Sequence, residues 1–114
     1  MTHVVVLADD ACIRFTCAEV LAHLGFQTTL GEVRGLPAVT PDAILLWDSD
    51  RDDVSATHAA YPGVPVLLCT WDHRRAWPGA DAVVQLPFNA ARVARTLSKL
   101  IRANQLGGRP ASAA

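Results

Sequence analysis

Short apolar runs alternate with segments of helical periodicity along the whole chain. Val4-Val5-Val6-Leu7-Ala8 is an unbroken apolar run that stops at Asp9 and Asp10. A strand covered on both faces shows no polar alternation, so this run predicts a buried first strand. Ile13, Cys17, Val20, Leu21 and Leu24 then recur at spacings of three and four. At about 100° per residue they share one helix face, and Gly25 supplies the stop. Phe26 to Leu30 predicts a second strand. Gly31, Gly35, Pro37 and Pro41 punctuate the stretch after it, leaving room for only a stunted second helix.

Ala43-Ile44-Leu45-Leu46-Trp47 predicts the third strand and empties into Asp48-Ser49-Asp50-Arg51-Asp52-Asp53. A short helix is expected over Ser55 to Tyr61. Val64 to Cys69 is the fourth strand, with Pro65 tolerable near its start and Thr70 at its end. Trp71 to Trp77 allows a brief helix, and Ala82-Val83-Val84 supplies a fifth strand. Asn89 caps a last helix whose apolar stripe is Val93, Leu97, Leu100 and Ile101. Such alternation predicts an α/β sandwich with a parallel sheet and right-handed crossovers. The expected organisation is one domain over residues 1–106 and a flexible C-terminal tail over 107–114.

Composition narrows the class. With 114 residues and 51% hydrophobic side chains, one domain with a real core is expected. The apolar runs fall far short of the roughly 20 residues that span a bilayer, so no membrane segment is expected. The first residues lack the basic and apolar regions of a secretory signal, and three cysteines cannot all pair within the chain. A cytoplasmic location is the expectation. Cys12, Cys17 and Cys69 have no metal-binding spacing and are read as small core residues. The net charge of -1 argues against direct nucleic-acid binding. Charge is nevertheless segregated: acids crowd residues 48–53, while Arg92, Arg95, Lys99 and Arg102 share one arc of the last helix. That arc is by default a solvated face; the functional alternative is a surface for an acidic partner or a second copy.

In a parallel sheet the carboxyl ends of the strands converge on one edge, where ligands bind. This places Asp9, Asp10, Asp48, Thr70 and Leu86-Pro87 in a single acidic pocket. Asp9 and Asp10 are chemically suited to a hard cation, or equally to capping the first helix. Thr70, on its position alone, is a strand-end hydroxyl bonded to backbone. No glycine lies between Asp9 and Thr16, which argues against a nucleotide- or flavin-binding loop.

The ordered segments Asp9 to Phe26, Pro41 to Leu46, Val64 to Thr70, and Gly79-Ala80-Asp81 with Leu86-Pro87-Phe88 resemble the receiver domain of bacterial two-component response regulators. The resemblance implies a flavodoxin-like three-layer sandwich with a five-stranded parallel sheet and shortened middle helices. It also implies a candidate phosphoacceptor, Asp48, a candidate switch hydroxyl, Thr70, and Mg²⁺ held by Asp9 and Asp10. A carboxylate of this kind attacks phosphorus in line while Mg²⁺ and a Lys ammonium absorb charge on the transferring oxygens.

Four positions depart from the family pattern. Ungapped matching puts Ala8 at the first acid of the pair, and counting from Pro41-Asp42 puts Trp47 at the acceptor position. A one-residue slip turns a strand side chain to the other face, so Asp48 is expected to point away unless a bulge intervenes. Leu86 replaces the family's Lys, and Trp71, in place of a small residue, is expected to cover the acceptor. The expectation is a divergent, pseudo-receiver-like signalling module, not an enzyme, with no cofactor required and Mg²⁺ optional. It docks on a protein partner, a histidine kinase or another signalling protein, with a homodimer through the last helix as a further expectation. The alternative is a working Mg²⁺-dependent phosphoacceptor using Asp48.

Overall fold

The computed structural model describes residues 2–72 and 74–106. The strands are β1 (His3–Leu7), β2 (Gln27–Gly31), β3 (Ala43–Trp47), β4 (Val66–Thr70) and β5 (Ala82–Gln85). They form one sheet in the order β2-β1-β3-β4-β5, every neighbouring pair parallel. The helices among the described residues are α1 (Ala11–His23), α2 (Arg51–Ala60) and α3 (Ala90–Gln105). The expected tail over 107–114 lies outside the described residues.

The alternation of side chains along each strand sorts the apolar residues into two cores. Val4, Val6, Leu45, Leu67 and Cys69 face α1 and α3, meeting Cys17, Leu21, Val93, Leu97 and Ile101. Val5, Leu7, Ile44, Leu46, Val66 and Leu68 face the other way, onto Val54 and Tyr61. Full burial of one such aliphatic side chain contributes about 1.5–3 kcal/mol, so the three central strands hold most of the folding energy. Each helix starts at a side-chain cap: Asp10 accepts from Ile13 N at 3.1 Å, Asp50 from Asp53 N at 2.8 Å, and Asn89 from Arg92 N at 3.0 Å. Gly25, at φ 94, closes α1 in a conformation costly for any residue with a Cβ.

The middle of the chain differs from its sequence pattern in three places. The helix expected over 55–61 begins earlier, because Asp50 caps it and Asp52 and Asp53 sit in its first turn, where the helix dipole favours carboxylates. No helix lies between β2 and β3. The segment folds back instead, with Val33, Leu36 and Val39 packed onto the sheet and Tyr61 Oη donating to Pro37 O at 2.6 Å. The brief helix expected over Trp71 to Trp77 is absent among the described residues. There Trp77 Nε1 donates to Asp72 O at 3.0 Å, and Asp81 ties the turn back to β4 by accepting from Val66 N at 2.7 Å. One face of the sheet is therefore covered by a helix and two packed loops.

Candidate functional site at the carboxyl rim of the sheet

Register alone brings the rim residues together. Leu7 pairs with Leu46, so Asp9 and Asp48 each lie two residues past that paired position on neighbouring strands. Trp47 pairs with Cys69, and Thr70 with Gln85, which adds Thr70 and Leu86 to the same edge. The third strand thus ends on Trp47, whose side chain turns to the α1 and α3 side and joins that core. Its ring meets Phe88 at 5.7 Å between centroids, tilted by 35°. An aromatic pair of this geometry contributes about 0.5–1.5 kcal/mol beyond the area it buries. Leu86 is buried beside it, and the Leu86-Pro87 bond is cis. Trp47, Phe88 and Leu86 thus fill the end of β3 with an indole, a phenyl ring and an isobutyl group.

The carboxylates stand outside that plug. Asp48 adopts the left-handed φ of 43, is exposed, and is held by its own N–H donating to Cys69 O at 2.7 Å. Asp9 is exposed, and Asp10 is occupied as the cap of α1. Electrostatics ties this group together at one point. The Asp53 carboxyl is pushed above its usual range by partial burial, then by the charges of Asp50 and Asp9. Among the described residues, no three His, Cys, Asp or Glu side chains gather as a group able to hold a metal ion. Asp10 is turned to backbone as the cap of α1, which leaves Asp9 and Asp48 as exposed carboxylates at this rim.

Thr70 is buried, and its Oγ1 accepts from Asp72 N at 3.2 Å. The structure corrects two expectations here. Trp71 does not cover the acceptor position; its side chain is 61% exposed, and the covering ring belongs to Phe88. Cys12 is exposed rather than a core residue, while Cys17 and Cys69 are buried, which raises their thiols to about 11 and about 12. Phe88 also walls a groove of about 190 Å³ with Cys12, Ile13, Thr16 and Cys17.

Sequence reasoning missed two rim residues. Arg14 reaches back from α1 to donate from Nη1 to Ala8 O at 2.6 Å and pairs with Glu32 at 3.5 Å, placing a guanidinium beside the first strand end. Its position one turn after the Asp10 cap was a signal for this contact. Phe88 carried a weaker signal, the aromatic after Leu86-Pro87.

No protein-family model matches the chain, and no curated protein is similar to it in sequence. Solved structures do match. A response regulator receiver domain protein from Clostridium thermocellum superposes with a TM-score of 0.80 at 15% identity, covering 93% of this chain and 98% of that one. NtrX from Brucella abortus, solved in complex with ATP, gives 0.78 at 18% identity, covering 94% of this chain. The chain spans only 28% of NtrX. TrrA from Thermotoga maritima, a response regulator solved with Mg²⁺ and BeF, gives 0.73 at 19% identity over 88% of this chain and 99% of that one. The flavodoxin-like architecture is therefore that of response regulator receiver domains.

Proposed function

We propose that the chain is a receiver-like signalling module that acts by docking on a protein partner, with phosphoryl transfer weakened or lost. The observation that carries this reading is the Trp47–Phe88 ring pair at the strand end where receivers carry their acceptor. Leu86 adds to it: loss of a preorganised cation facing the transferring oxygens costs on the order of 3 kcal/mol in the transition state, roughly a hundredfold in rate. The partner is a histidine kinase or another cytoplasmic signalling protein, met at the edge formed by β4, β5 and α3. The module is not itself an enzyme.

The test is intact mass after incubation with acetyl phosphate and Mg²⁺. The reading predicts an unchanged mass. A phosphoryl adduct that disappears in Asp48→Asn overturns it in favour of a working phosphoacceptor.

A further inference from the structure

Four cations, Arg92, Arg95, Lys99 and Arg102, follow one another along α3 at spacings of three, four and three, and all four are exposed. At about 100° per residue they fall within an arc of about 80°, opposite the buried Val93, Leu97 and Ile101. The stripe runs about 15 Å along the helix at 1.5 Å per residue. α3 contains no acid, and among the described residues none of the four cations makes an ion pair. Leu106 continues the same arc one turn beyond Arg102 and is 80% exposed.

We propose that this face of α3 binds an acidic segment of a partner protein, four of whose carboxylates meet the cation stripe while an apolar residue rests on Leu106. The proposal rests on the docking reading above and names the chemistry of the partner. Charge complementarity selects the occupant. Three of the four cations are arginines, whose planar guanidinium pairs with a carboxylate through two parallel hydrogen bonds. A carboxylate helix with acids three and four residues apart repeats at the spacing of the stripe. Duplex nucleic acid fits less well, because its charge continues every 1.7 Å or so along the axis and extends well past a 15 Å stripe. The whole chain carries a net charge of -1, which also disfavours a polyanion much longer than the stripe.

The experiment is an amide NMR titration of the labelled protein with a poly-glutamate peptide as long as α3, 16 residues. Poly-glutamine and a duplex DNA of similar length serve as the other arms. The expected result is a saturable shift of the amides around Arg92, Arg95, Lys99 and Arg102 with poly-glutamate alone. Affinity is expected to fall about tenfold or more in Arg95→Glu/Lys99→Glu, and to weaken as salt is raised. Both substitutions are at exposed positions, and a melt of the variant confirms that it folds. Perturbations confined to other parts of the surface, or equal affinity in the charge-reversed variant, overturn the proposal. So does tighter binding of DNA, or a concentration-dependent shift of the same amides in the protein alone, which assigns the face to a second copy. In each of these cases an unchanged mass with acetyl phosphate leaves the docking reading intact, so the two failures are distinguishable.

Discussion

Trp47 decides the chemistry of the rim, and its effect is measurable as stability. Truncating a large aromatic side chain within a core removes about 3–5 kcal/mol, and a half-buried ring gives the lower end of that range. Trp47→Ala is therefore expected to lower unfolding stability by about 3 kcal/mol in urea denaturation. Phe88→Ala should cost less, and the double variant should fall short of the sum by about 0.5–1.5 kcal/mol, the coupling of the two rings. Asp53 supplies a second prediction. Its raised folded-state value means that its contribution to stability is present below its ordinary value of 3.8 and is lost as pH rises through the folded value. Asp53→Asn is thus expected to raise the Tm at pH 7, and the gain should shrink toward pH 3, as read by circular dichroism. The place of Trp47 was legible by counting along the third strand from Pro41-Asp42. Its partner was not, because the contact with Phe88 joins residues 41 positions apart and leaves no periodic trace. The same limit explains Trp71: an indole beside the pocket in sequence turned out to face solvent.

At the scale of elements, unbroken apolar runs located four of the five strands, β2 with its polar Gln27-Thr28-Thr29 being the exception, and three-four spacings located the two flanking helices. The middle of the chain was less legible, since the acids over 48–53 served both as a solvated loop and as the cap and first turn of α2. The segment after β2 shows why a helix was dispensable. A Cβ built on Gly31 would lie 2.6 Å from the Pro37 ring, so the fold-back depends on that glycine. Gly31→Ala is expected to destabilise by about 1–3 kcal/mol in a thermal or urea melt, because a proline ring has little freedom to move aside. Gly35, whose added Cβ meets nothing within 4 Å, is the control and should change stability little.

For the molecule as a whole, the proposed reading separates architecture from chemistry. The five-stranded parallel sheet has the fold of a receiver, and the likeness to solved receivers holds at sequence identities below 20% in the structures compared. Core positions need only apolar residues of suitable size, so the fold tolerates wide substitution. A phosphoryl site needs particular charges at particular atoms, and the proposed reading rests on the indole of Trp47 and the isobutyl group of Leu86 standing where those charges would be. The proposed reading keeps the scaffold and assigns the last helix to a partner. The most direct test of this account is the amide spectrum of the protein before and after addition of Mg²⁺ and beryllofluoride, the mimic held by TrrA. The account predicts that the amides of Asp48, Thr70 and Leu86 stay where they are at saturating reagent. Specific, saturable shifts at those three residues would contradict it.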